Sequence, residues 1–451
     1  MRSITKSLSS RVRHLVLVSP CAASLLATAL PSLSLAQNVP PASPPAPPTT
    51  TTPTAPSAPT PPPAASVAMM RSDPKIREMK LEVSLYGSSS ANPSRRLTPG
   101  QQVPAGYQST PYRFGPQSKI AFPVLLRTSW CDTDFTTLDA RITIDGMQTR
   151  LDPATVFTRS STGPEANLVF PIQPQNTQGQ NEIRTTAVWR VQRWELDVDE
   201  NMAARSTWPR KWDAKLERYL QKEFGIDPTI PAVLTIADGA TPGGARSASP
   251  FIAARNAVAA IAGRFKSISG GTSEFCPDGS LRGIAFSPDN TAWGVEAGRG
   301  SPIELCATCV AGLRAIGIPA RMVYCIDEDG QTQSQQTRSK FRFIGEFFLN
   351  DIGWIPFDPM EMRMKGIATR TKNGPIKGFA NVDGLEDCTP FAFKIVPDGY
   401  ERADRYAVWG WRAPGVSVDS NYAITRITLT DSSRGNGKVP SMPAPVGDEG
   451  P

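Results

Sequence analysis

The sequence predicts an α+β protein in which a β-sandwich-like domain precedes a mixed α+β domain. Three observations carry this reading. Met79, Leu81, Val83 and Leu85 alternate with polar residues at the period of a half-buried strand, and further β-type runs follow before residue 200. Residues 301–316 place Leu305, Cys309, Leu313 and Ile316 at the three- and four-residue spacing of an apolar helix face. Three β-type runs, 320–326, 341–349 and 353–358, come directly after that helix.

In the first half, Ile183, Ala187, Trp189 and Val191 mark another strand, and residues 122–128 and 168–172 add two more. Asp145-Gly146, between two β-type runs, is a hairpin signal because a two-residue turn needs positive φ. Strands in this number over this length fit a sandwich. Trp130, Trp189 and Trp194 are expected to pack in the core or on a sheet face rather than to stack on a ligand.

In the second half, residues 209–224 have the pattern of an amphipathic helix, with Trp212, Leu216, Tyr219 and Leu220 on one side and Gly225 after it. Ser249-Pro250 opens another, with Phe251, Ile252, Val258, Ile261 and Phe265 on one face. The central helix has both ends written into it. Ser301 is the N-cap, Pro302 takes the first helical position, and Glu304 completes a capping box in which proline's missing N–H costs nothing. Gly317 and Pro319 then end it.

The flanks have a different character. Arg2, Lys6, Arg11 and Arg13, an apolar run over residues 15–30 and Ser34-Leu35-Ala36 compose a secretory signal. The alternative, an uncleaved membrane anchor, has to accommodate Pro20 and Pro31 in a run that is short for a span. Cleavage takes Lys+Arg from 48 to 44 against 41 acidic residues, so the formal charge of +7 falls to +3 and gives no basis for a nucleic-acid partner. Residues 37–73 are rich in Pro, Ala and Thr and cannot bury a core; they form an extended linker. The expected division is therefore 1–36 signal, 37–73 linker, 74–204 β-sandwich-like domain, 205–431 α+β domain and 432–451 flexible tail. The mature chain is expected to be periplasmic or secreted, with no transmembrane domain.

Two stretches, LRAIGIPARMVY (residues 313–324) and EFFLNDIGWIPFDP (residues 346–359), resemble the core of the transglutaminase-like superfamily, cysteine enzymes of papain-like fold. The resemblance implies a nucleophilic Cys twelve residues before Arg314, a His four residues before Glu346, and an Asp in the GW…DP segment. Those counts land on Pro302, Arg342 and Asp358, so only the Asp is kept. The chain holds a single histidine, His14, inside the signal.

The chemistry of that family needs a reactive thiolate and an imidazole that passes its proton to the leaving amine. Arg342 has no basic form at neutral pH. Pro302 removes the thiol and also a backbone N–H at the helix start, where an oxyanion donor is worth roughly 3–4 kcal/mol of barrier. An ion pair from Arg342 to Asp358, with Glu346 near it, is expected to replace the lost imidazole; a retained anion-binding site is the alternative.

Six cysteines follow the signal: Cys131, Cys276, Cys306, Cys309, Cys325 and Cys388. An even number in an exported chain permits disulfides of unspecified connectivity. Cys306 and Cys309 form a CxxC inside the helix, where no terminal field activates a thiol. Buried packing or a structural disulfide is the expectation; a redox pair, half a metal site, or Cys306 as a relocated nucleophile are the alternatives. No cofactor and no metal are implied. The basic residues Arg363, Lys365, Arg370, Lys372 and Lys377 read as a solvated loop, or as a surface for an anionic polymer. Trp293 is an ordinary loop residue or a stand-in for a substrate-channel aromatic. The expectation is an inactive transglutaminase-like module that binds or scaffolds a protein, peptide or cell-wall ligand at the cell envelope. The alternative is acyl transfer or amide hydrolysis from Cys306 or Ser301.

Overall fold

In the first half of the fold the main strands are β1 (Met69–Tyr86), β2 (Lys119–Leu125), β3 (Cys131–Ile144), β4 (Glu165–Pro171) and β5 (Glu182–Val198). The computed structural model describes residues 68–86, 88–89, 109–110, 118–144, 146–159, 164–172, 182–268, 273–275, 281–284, 295, 298–328, 339–367, 375–402, 406–412 and 423–431. The signal, most of the linker, the tail, Asp145, Cys276, Trp293, Arg370 and Lys372 lie outside these residues. β1 and β5 pair antiparallel from Met69–Val198 to Tyr86–Glu182, and β3 lies on the far side of β5. β2 pairs with β4 in a second, five-stranded sheet.

The alternation in β1 behaves as its period dictates: Met79, Leu81 and Val83 are buried. Phe135 of β3 packs on Phe157 of the second sheet with ring centroids 4.7 Å apart, and Trp189 of β5 lies 5.8 Å from Phe135. The two sheets thus share an apolar interior. Trp130 and Trp189 are buried in it, whereas Trp194 is half-buried beneath the Arg71 guanidinium at 4.5 Å. Ile144 faces Met147 across the predicted hairpin, and Gly146 has φ +84°.

Three helices follow: α1 (Pro231–Gly239), α2 (Pro250–Arg264) and α3 (Pro302–Ala315). Then come β6 (Ala320–Glu328), β7 (Ser339–Leu349), β8 (Gly353–Phe357), the short α4 (Pro359–Glu361) and β9 (Cys388–Ala392). The four strands make an antiparallel sheet in the order β8-β7-β6-β9. α3 is almost wholly buried and packs on α2 and on β7. Contact with α2 is close because Gly312 has no side chain; a Cβ there would lie 2.3 Å from Ile261 Cδ1. Phe251 of α2 meets Phe347 of β7 at 6.2 Å, and Phe379 stacks on Phe347 at 5.2 Å.

The predicted helix over residues 209–224 does not form. The segment is irregular apart from one 3₁₀ turn, Glu217–Leu220. The Asp213 carboxylate accepts the Lys215 N–H (2.8 Å), a local bond that competes with helix. Trp212, Leu216 and Tyr219 instead form a separate apolar cluster with Phe348 and Trp354, and Trp212 Nε1 donates to the Gly317 carbonyl (2.8 Å). Helical spacing was present, but tertiary contacts with β7 and β8 use those side chains from a chain of turns.

The chain then returns to its first sheet. β10 (Ala423–Asp431) pairs antiparallel with β1 from Arg77–Asp431 to Leu85–Ala423. One continuous apolar core runs from Met79 and Phe122 through α2 and α3 to Phe357 and Trp409. Among the described residues no helix is long and apolar enough to cross a membrane.

Candidate functional site

The start of α3 is built as its sequence dictates. Ser301 Oγ accepts the Glu304 N–H (3.5 Å), while Glu304 Oε2 accepts from the Ser301 N–H (2.6 Å) and hydroxyl (2.9 Å). The Ser301 hydroxyl is therefore held inside the capping box. Pro302 occupies the first helical position, and Gly317 leaves the helix with φ +83°.

Asp358 follows β8 and caps α4. Its Oδ1 accepts the backbone N–H of Met360 (2.8 Å) and Glu361 (3.1 Å), and its Oδ2 accepts Arg342 Nε (2.8 Å). Arg342 reaches it from β7, and Nη2 donates to the Asp383 carbonyl (3.0 Å) and lies 3.6 Å from Glu361 Oε2. Burial alone would lower the Arg342 pKa, but the charge of Asp358 outweighs it and raises the value. The guanidinium is thus a fixed cation, and its planar fork is shared between a carboxylate and loop carbonyls. Asp358 also lies near enough to the second turn of α3 for its charge to act on the Cys306 thiol.

Glu361 and Asp383 complete the charged cluster, and neither carries a motif or spacing that marks it in the sequence. Glu361 Oε2 accepts the Asp383 N–H (3.1 Å), and Lys365 bridges the two carboxylates at 3.7 and 3.3 Å. Burial, then hydrogen bonding and charge from Asp383, push the Glu361 carboxyl up to about 7. An open cavity of about 380 Å³ borders this loop and is lined by Ser72, Glu195, Asp197, Asn381, Asp383 and Glu386. Two of its carboxylates are paired with lysines: Lys75 lies 3.5 Å from Glu386, and Lys365 and Lys377 lie 3.3 and 3.9 Å from Asp383.

Glu346 does not join Arg342. Its Oε2 accepts Arg321 Nε (2.6 Å), and its Oε1 accepts the Ser129 hydroxyl (3.1 Å) and N–H (3.4 Å). The Arg321 guanidinium lies 4.0 Å from both the Trp354 and Phe393 rings. The expected Arg–carboxylate pair is present, therefore, with Asp358 and without Glu346, which ties β7 to the first sheet. Arg321 is the arginine of the IPAR run; a buried partner for Glu346 could have been sought there.

Cys306 and Cys309 are free and fully buried. Burial raises the Cys306 thiol well above its ordinary value, with Cys309 and then Asp358 adding to the effect. Cys309 is also raised, by burial. Neither has the thiolate character of a nucleophile. Among the described residues no cluster of three His, Cys, Asp or Glu side chains has the geometry to hold a metal ion.

Residues 280–359, which hold α3, β6, β7, β8 and Asp358, match the transglutaminase-like superfamily. The chain contains a transglutaminase-like core. No curated protein matches it. Among solved structures it is similar to one described as a candidate cysteine protease from Cytophaga hutchinsonii, at 12% identity over 81% of this chain and 94% of that one, with TM-score 0.44. It is also similar to the periplasmic domain of TgpA from Pseudomonas aeruginosa, at 16% identity over 55% and 88% of the two chains, TM-score 0.26. Red sea bream transglutaminase matches at 12% identity over 63% and 50%, TM-score 0.23. At these identities and TM-scores the likenesses fix neither activity nor partner. The transglutaminase-like core supplies the frame in which Pro302, Arg342 and Asp358 stand.

Proposed function

We propose that this chain is an exported transglutaminase-like protein that has lost acyl-transfer chemistry and works as a binding or scaffolding module at the cell envelope. Pro302 and Arg342 stand at the positions of the family's Cys and His, and Asp358 is the triad position kept. The observation that carries this reading is the 2.8 Å bond from Arg342 Nε to Asp358 Oδ2. A permanent cation occupies the place of the proton carrier, and the carboxylate that would orient an imidazole is spent on that cation and on the α4 cap. The chain's one histidine, His14, falls in the segment read as a signal.

In this reading residues 74–204 and 205–431 are two parts of one exported body that follows the 37–73 linker. The partner is a protein, a peptide or the cell wall.

The rival is a cysteine enzyme using Cys306, and the burial of that sulfur together with its raised pKa weighs against it. The deciding experiment incubates the purified full chain with a primary amine and a glutamine-containing acceptor, with and without a thiol alkylator. No thiol-sensitive amide incorporation is expected. Incorporation that the alkylator abolishes would end the inactive reading.

A further inference from the structure

Tyr324 stands on β6 and is 3% exposed. Its ring is held edge-on by Phe343 of β7, with centroids 5.9 Å apart, and lies 6.4 Å from Phe391 of β9. A buried phenol ordinarily gives its hydroxyl a hydrogen-bond partner within the protein. Among the described residues this hydroxyl has none. Tyr324 instead lines a cavity of about 380 Å³ between the segment before α1 and the segment after β9.

The rest of the wall is apolar or already matched. Phe224, Ile226, Phe393, Ile395 and Tyr400 supply apolar surface, and Phe224 is exposed. Glu223 accepts from Arg314 Nη2 (2.7 Å), and Lys394 Nζ lies 2.8 Å from Asp398 and 3.2 Å from Glu165. Arg402 donates to the carbonyls of Ala407 (2.9 Å) and Ile284 (3.1 Å). A charged ligand would have to break one of these contacts. A sugar would carry in more hydroxyls than the wall can satisfy. The wall offers apolar surface and one hydroxyl that is fixed in place.

We propose that this cavity binds a neutral aromatic ring carrying one hydrogen-bonding substituent, a phenol in the simplest case, with the Tyr324 hydroxyl as its polar contact. A cavity of about 150 Å³ suffices for benzene, so the space here takes the ring and part of a chain attached to it. A tyrosine side chain of a peptide and a free phenol present the same chemistry. Pro302, Arg342 and Asp358 do not line the cavity, so the site stands apart from the reading of that cluster.

The test titrates the purified full chain with p-cresol, toluene and N-acetyltyrosinamide, followed by saturation-transfer NMR. Saturable p-cresol binding is expected. Tyr324→Phe keeps the ring and removes the hydroxyl, so it should bind p-cresol about five- to tenfold more weakly and toluene equally well. Phe224→Ala changes an exposed side chain, which the fold tolerates, and should weaken both probes because it removes apolar wall. Tighter binding of N-acetyltyrosinamide than of p-cresol supports the proposal and assigns the site to a peptide side chain; the reverse supports it with a free phenol. Four results overturn it: no saturable p-cresol binding, equal p-cresol affinity in Tyr324→Phe, equal affinity for both probes in Phe224→Ala, or tighter binding of N,N′-diacetylchitobiose. Thiol-sensitive amide incorporation would end the inactive reading and leave this site standing.

Discussion

Asp358 does two jobs with two oxygens: one neutralises Arg342, the other caps α4. Asp358→Ala removes both and leaves a largely buried guanidinium without its nearest carboxylate. A loss of about 3 kcal/mol is expected, measured by urea unfolding at pH 7.5. Lys365→Ala, on the exposed side of the same cluster, should cost less than about 0.5 kcal/mol. Glu361 adds a pH dependence whose sign can be worked out. Its folded pKa, about 7, lies above the ordinary carboxyl value of 4.5, so the folded state holds the extra proton between them. Stability from this group is complete below pH 4.5 and is lost as pH rises through 7. Solvent screening at this partly exposed cluster reduces the effect to about 2 kcal/mol, and Glu361→Gln should flatten that limb of the stability–pH curve. Asp383 is held below its ordinary value, chiefly by hydrogen bonding with Glu361, and so acts in a separate, more acidic window. A curve with no fall between pH 5 and 7.5, or the same fall in the Gln variant, would remove Glu361 from the account.

The elements show which local signals suffice. α3 was legible because Ser301, Pro302, Glu304 and Gly317 act within a few residues of one another, and no distant contact is needed to read a capping box. β6, β7 and β8 were legible for the same reason, though the first two ladders run two residues further at their hairpin ends than the apolar runs suggest. Residues 209–224 were misread because their aromatic spacing serves Phe348 and Trp354, and sequence spacing does not say which partner a side chain has. α1 went unread; its N-cap, Ile230, makes no side-chain cap bond. Close approach is equally silent in sequence. At Gly345 on β7, a Cβ would fall 2.0 Å from Phe357 Cζ on β8, inside the most aromatic part of the core. Gly345→Ala should therefore destabilise by about 2–3 kcal/mol, although alanine ordinarily suits a strand at least as well as glycine. Thermal unfolding of that variant with Tm unchanged would mean that the Phe357 ring has room to turn aside.

At the scale of the whole molecule, the site was half legible. The Arg342–Asp358 pair followed from the resemblance to the transglutaminase-like core, whereas Glu361, Asp383 and the Ser129–Glu346 bond join residues that are far apart or lie in turns without pattern. That last bond leads to the final prediction. Glu346 is fully buried and holds Arg321 on one oxygen and Ser129 on the other, so the first sheet and the α3–β7 layer meet through one carboxylate. β10 reinforces the link, because a strand near the end of the chain completes the sheet begun by β1. A shared core and a shared sheet predict one cooperative transition rather than two. Glu346→Gln weakens the buried pair and should lower stability by about 3 kcal/mol. It should move the entire transition without splitting it, because no apolar boundary exists along which the halves could separate. Calorimetry of the full chain, with the ratio of calorimetric to van 't Hoff enthalpy as readout, checks this. Far-UV and near-UV circular dichroism followed on the same sample should give coincident curves. A two-step melt in the unmodified protein would mean that the halves on either side of residue 204 are energetically separate, and that Glu346 joins two bodies already stable alone.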